Sequence, residues 1–134
     1  MALDHVSVGV TDARRAKRFY DATLGALGLQ VLHEVELPTR GLVGVGYGEP
    51  GGAPTFWIQT PMNEKPPQPG NGVHVAFAAP GRAAVDAFYL AALDHGGADD
   101  GRPGLRTEYS PDYYAAFVRD PDGNKLEAVR HGPD

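Results

Sequence analysis

Leu3-Asp4-His5-Val6-Ser7-Val8-Gly9-Val10 returns in outline 69 positions later as Gly72-Val73-His74-Val75-Ala76-Phe77-Ala78. Each run reads as a strand whose side chains alternate with period two. The repeat continues: Ala16 falls on Val85, Phe19 on Phe88, Tyr20 on Tyr89 and Leu24 on Leu93. Both copies therefore read strand, turn, amphipathic helix, and internal repetition governs the architecture. In the first helix Ala16, Phe19, Tyr20, Thr23, Leu24 and Leu27 recur at three- and four-residue spacing. Thr11 or Asp12 supplies its N-cap, and Gly28 lies near its stop. In the second helix Ala84, Val85, Phe88, Ala91 and Ala92 form the stripe, with Pro80 at its start and Gly96-Gly97 at its end.

The rest of each half reads as three short strands. They are expected at Gln30–Leu37, Leu42–Tyr47 and Thr55–Thr60, and then at Arg106–Ser110, Tyr113–Arg119 and Lys125–Arg130. Asp120-Pro121-Asp122-Gly123 is a strong turn sequence, with Glu49-Pro50-Gly51-Gly52 as its counterpart. Pro61, Pro66, Pro67 and Pro69 mark a stiff linker. The expected fold is α+β: two tandem βαβββ modules, about residues 1–60 and 72–134, joined by a linker at 61–71 within a single domain. One module alone would leave an open sheet with a bare edge. Two copies can form a curved, cup-shaped mixed sheet with the helices outside.

Composition narrows the function. The 134 residues carry a formal charge of −5 and no strongly basic stretch, which argues against nucleic acid. There is no cysteine, so disulfides, thiolate metal sites and a cysteine nucleophile are excluded. No apolar run approaches the roughly 20 residues that span a bilayer. Strand-like sequence begins almost at once, leaving no room for a signal peptide, so the expected compartment is the cytoplasm.

Strand parity then sorts the side chains. Val6, Val8 and Val10 form an apolar face that must pack under a helix, which turns His5 toward the cup; the same argument turns His74 inward. In the fourth strand Phe56 and Ile58 are helix-side, so Trp57 and Gln59 face the cup. In the last strand Leu126 and Ala128 are helix-side, so Glu127 faces it. His5, Gln59, His74 and Glu127 thus converge from four repeat-related positions. Two imidazoles and a carboxylate suit a divalent first-row metal with positions left open for substrate. A shared cation would also offset the cost of placing these groups inside a small cup. The plainer alternative is four polar side chains lining a wet cleft.

Here the residues match a known family. The chain resembles the vicinal oxygen chelate superfamily, the glyoxalase/bleomycin-resistance/dioxygenase group. The match rests on Leu3-Asp4-His5-Val6, on Phe19-Tyr20-Asp21 with Leu27-Gly28-Leu29, on Val73-His74-Val75, and on Asp120-Pro121-Asp122-Gly123-Asn124-Lys125-Leu126-Glu127. The resemblance implies metal ligands at His5, His74 and Glu127, with Gln59 at the fourth ligand position. It implies a divalent ion (iron, nickel, manganese or zinc) that chelates two neighbouring oxygens of a small molecule and neutralises developing charge. Glu127 is the candidate catalytic residue. Gln59 departs from glyoxalase I, where the corresponding residue resembles a glutamate that moves a proton; glutamine has no proton to exchange near pH 7. The resemblance also implies a homodimer, and leaves open whether His5 and His74 meet within one chain or across the interface.

Trp57, Gln59 and Tyr114 are expected to touch substrate. Tyr113 and Tyr114 alternate, so only one of them reaches the cup. Arg106 and Arg119 are each able to hold a substrate carboxylate in a bidentate pair, although an exposed arginine without a ligand is the commoner case. His33, His95 and His131 read as surface residues. Two functions compete: a metal-dependent lyase, isomerase or dioxygenase, and a non-catalytic binder that sequesters a small molecule as bleomycin-resistance proteins do. Retention of His5, His74 and Glu127 favours the enzyme, since a sequestering cup needs no ligand triad.

Overall fold

A computed structural model describes residues 2–134. The first module runs β1 (Val6–Gly9), α1 (Ala13–Gly25), β2 (Gln30–Leu37), β3 (Gly41–Gly48) and β4 (Phe56–Gln59). The second runs β5 (His74–Ala78), α2 (Arg82–Asp94), β6 (Ala98–Leu105), β7 (Tyr114–Arg119) and β8 (Lys125–Arg130). The strands form two four-stranded mixed sheets of the same topology, β1-β4-β3-β2 and β5-β8-β7-β6. In each, the first strand lies parallel to the last and the remaining pairs are antiparallel. The expected α+β arrangement of two βαβββ modules is therefore present. No described helix is long and apolar enough to cross a membrane.

Local chemistry explains the helices. Asp12 is extended and its carboxylate accepts from the backbone amides of Arg14 and Arg15, satisfying donors that a helix start leaves orphaned. α2 has no such residue at Gly81; instead Asp134 reaches back from the C-terminus and accepts from the Arg82 amide at 2.8 Å. Each helix lays its apolar stripe on one face of its own sheet, and the two helices pack against each other. Phe19, Tyr20 and Leu24 of α1 meet Val45 and Ile58, and Val85 and Phe88 of α2 meet Val118 and Leu126, all fully buried. Phe56 and Phe77, from different modules, join the two halves edge to face with ring centres 5.0 Å apart.

The Asp120–Gly123 turn fastens the modules together. The Asp120 carboxylate accepts from the Asp122 and Asn124 amides, from the Asn124 side chain and from the Tyr20 hydroxyl of the other module. The Asn124 side chain also donates to the Gly9 carbonyl, and Asp122 accepts from the Thr11 amide and hydroxyl. The turn sequence thus also supplies polar groups that close the seam.

One strand lies elsewhere than expected. β6 is Ala98–Leu105, and the Arg106–Ser110 stretch expected as a strand forms turns. Asp99-Asp100-Gly101-Arg102-Pro103-Gly104 looks like a loop sequence. It is an edge strand, where proline costs no ladder bond on the open side, and its pairing with β7 shifts register around Gly101.

β1 and β5 are also edges. Each pairs on one side only, with β4 and β8 respectively, and they do not pair with each other. Leu3 and Val73, just before these strands, are 69% and 62% exposed. Each sheet also leaves a hollow on the face away from its helix.

Candidate active site

Glu127 lies in β8 between Leu126 and Ala128, which face the core. Alternation turns its carboxylate to the opposite face, yet only 1% of the residue is exposed. Two neighbours cover it. His74, at the start of β5, places Nε2 3.0 Å from Glu127 Oε1, and the Tyr113 hydroxyl donates a short hydrogen bond to Oε2. Burial, and then the bond to Glu127, push the Tyr113 phenol up to about 12, so it remains a protonated donor at ordinary pH. His74 is half-exposed and opens the pair to a cavity of about 520 Å³. Its other walls include Arg106, Tyr109, Phe117 and Lys125.

Trp57 and Gln59 face the other hollow, as expected. It measures about 390 Å³ and is mostly apolar, with Val35, Leu37, Val43 and Met62 around them. The Trp57 ring fixes the sequence of the strand beneath it. A Cβ on Gly46 would come within 2.9 Å of that ring, so the glycine makes room for the indole. His33 meets Trp57 edge to face with centres 5.8 Å apart.

His5 precedes β1 and lines neither hollow. It is half-exposed, and its Nδ1 is 2.7 Å from the carboxylate of Asp4. Both residues lie ahead of Val6, the first paired position of β1, where alternation does not bind them. Within one chain the structure brings His74 and Glu127 together and leaves His5 and Gln59 on the other module. Among the described residues no three His, Cys, Asp or Glu side chains gather in one place.

Tyr114 is placed differently from the expectation. Its hydroxyl donates to Asp86 of α2 at 2.7 Å and the Arg82 guanidinium lies over its ring, so it belongs to the helix side. The tyrosine at the cavity is Tyr113. The register explains the exchange: Ala116 pairs with Ala128 and Val118 with Leu126, all four core residues, so Tyr114 shares their face. The apolar Val118 carried that signal in the sequence. Arg119 is also engaged elsewhere, with Asp100 at 3.1 Å and the Gly123 carbonyl at 3.0 Å.

The donor chemistry suits a divalent ion in part. His74 Nε2 and Glu127 Oε1 are a nitrogen and an oxygen ligand side by side at the mouth of a cavity. Tyr113 and His74 satisfy the carboxylate in the meantime, so the pair is stable as it stands.

Comparison with known proteins agrees with this reading of the fold. A family model described as the Glyoxalase/Bleomycin resistance protein/Dioxygenase superfamily matches residues 2–128. A glyoxalase/bleomycin resistance protein from Albidiferax ferrireducens T118 superposes with a TM-score of 0.81 at 39% identity, covering 98% of this chain and all of that one. Glyoxalase I from Zea mays superposes with a TM-score of 0.74 at 21% identity, over 95% of this chain and 45% of its own length. A glyoxalase-related enzyme from Fulvimarina pelagi gives 0.71 at 16% identity, over 98% and 88%. No curated protein matches the chain. With paired βαβββ modules, a histidine opening each and a buried glutamate in the last strand, the chain belongs to the glyoxalase/bleomycin resistance protein/dioxygenase superfamily.

Proposed function

We propose that the chain is a metal-dependent enzyme acting on a small molecule with two neighbouring oxygens, with His74 and Glu127 from one copy and His5 from a second copy holding the ion. One observation carries the reading: a His–Glu donor pair opens on a cavity, while the third donor sits exposed beside an unpaired strand edge of the other module. A twofold dimer sets β1 of each copy beside β5 of the other, covers Leu3 and Val73, and closes two equal cups. Each cup then combines the apolar hollow with Trp57 and Gln59 and the polar hollow with His74 and Glu127.

When bound, the divalent ion (iron, nickel, manganese or zinc) supplies Lewis acidity toward the substrate oxygens. The remaining work falls to the protein. Tyr113 holds the Glu127 carboxylate in place, and Glu127 is the group able to take a proton from a molecule in the cavity. Gln59 contributes a polar contact and no proton. From its sequence we assign the protein to the cytoplasm, with a small-molecule substrate.

A second reading, sequestration of a small molecule without chemistry, draws on the apolar hollow under Trp57, which suits an aromatic guest. Elemental analysis of protein purified without a histidine tag separates the two. Near-stoichiometric transition metal that disappears in His74→Ala supports the enzyme. Metal-free protein that still binds an aromatic ligand supports sequestration.

A further inference from the structure

The charged groups of the cavity at His74 and Glu127 pair off with one exception. Glu127 is held by His74 and Tyr113. Asp100 faces Arg119 at 3.1 Å and Lys125 at 3.6 Å. Arg106 lies within 4 Å of no carboxylate among the described residues, although it lines the same cavity as His74 and Glu127.

Its guanidinium is nevertheless held still. One terminal nitrogen donates to the Gly104 carbonyl at 2.9 Å and the other to the Arg102 carbonyl at 2.6 Å. The group also lies 5.6 Å from the centre of the Phe117 ring. Glycines leave it room: a Cβ on Gly101 or Gly104 would come within 3.3 and 3.2 Å of it, and Gly101 has a φ of +149° that disfavours any other residue. Two of its five N–H groups are spent on these carbonyls, which leaves donors for a ligand. Fixing a guanidinium before the ligand arrives removes the entropy cost of ordering it later.

We infer that Arg106 recognises a carboxylate, so the molecule taken by this cavity is an organic acid whose carboxylate sits apart from its pair of neighbouring oxygens. Arg119, farther along the same sheet, has its charge answered by Asp100 at 3.1 Å and does not line this cavity, so it plays no such part. The inference rests on the proposed function only in placing the neighbouring oxygens at His74 and Glu127. Phe117 and Tyr109, in the same cavity, make aromatic acids the natural probes.

The test is calorimetry on the full-length protein with manganese, using 3,4-dihydroxybenzoate, its uncharged amide 3,4-dihydroxybenzamide, and plain benzoate. Wild type is expected to bind the acid at least about tenfold more tightly than the amide, the scale of a charge-assisted bidentate contact. Arg106→Gln is expected to bring the two within about twofold, Arg106→Lys to keep part of the preference, and Arg119→Gln to keep all of it. Equal binding of acid and amide by wild type, or an undiminished preference in folded Arg106→Gln, overturns the inference. If Arg106→Gln does not fold, an Arg106→Lys variant with the full wild-type preference overturns it, because an ammonium lacks the fork. The preference for dihydroxybenzoate over benzoate reports separately on the metal: its absence, or its survival in His74→Ala, counts against the proposed function and leaves the acid-to-amide ratio to judge Arg106.

Discussion

Tyr20 of the first helix donates a 2.6 Å hydrogen bond to Asp120, one hundred residues away in the other module, and both residues are buried. It couples α1 to the turn that launches β8, and so sets where Glu127 emerges. Removing the hydroxyl takes away a bond to a buried carboxylate that still keeps its backbone amides. Tyr20→Phe is therefore expected to lose about 1.5–3 kcal/mol in urea unfolding, and Asp120→Ala to lose more, because four donors then go unanswered. A Tyr20→Phe variant as stable as wild type would show that the seam depends on apolar packing alone.

The two adjacent tyrosines are predicted to separate by function. Tyr113→Phe frees one oxygen of Glu127 and should weaken metal affinity by about tenfold, as loss of a group that orients a ligand commonly does. Tyr114→Phe breaks only the bond to Asp86 on α2 and should cost about 1 kcal/mol of stability, with metal affinity unchanged. Titration calorimetry and thermal melts check both; an effect of Tyr114→Phe on metal affinity without loss of stability would reverse the assignment.

Alkaline titration offers a third check. Burial raises the phenol of Tyr20 well above its ordinary range and that of Tyr47 likewise, and burial with the bond to Glu127 raises Tyr113 to about 12. Each folded-state value lies above the unfolded one, so the stability these groups contribute is complete below about pH 10 and is lost as pH rises through the folded-state values. Tyrosinate absorbance at 295 nm should therefore lag in the native protein relative to protein in guanidinium, and urea stability should decline above about pH 10. Coincident titrations in the two states would contradict these environments.

Much of this was legible in the sequence, for a physical reason. Burial under a helix forces an apolar face on each strand, so Val8, Phe56, Ile58, Leu126 and Ala128 announce which way Trp57, Gln59 and Glu127 point. The 69-residue repeat supplied the topology. Parity decides nothing where no paired neighbour anchors it. His5 and Asp4 precede β1, and alternation alone allows either Tyr113 or Tyr114 to reach the cup; the pairing of Val118 with Leu126 assigns that place to Tyr113 rather than the expected Tyr114. β6 escaped because an edge strand tolerates Asp, Gly and Pro that a central strand does not. Nothing local in the sequence distinguished Arg106 from Arg119; only the distant Asp100 does so.

In the proposed dimer, His5 of one copy completes the site of another. Chains carrying His5→Ala and His74→Ala, co-expressed with two different non-histidine tags and purified through both, give a mixed dimer with one site that retains all three donors and one that lacks both histidines. Manganese binding followed by paramagnetic resonance is predicted to find one tight site per mixed dimer and none in either single-variant dimer. No tight site in the mixed dimer would contradict a shared site, since ligands gathered within a single chain cannot be rescued by a partner.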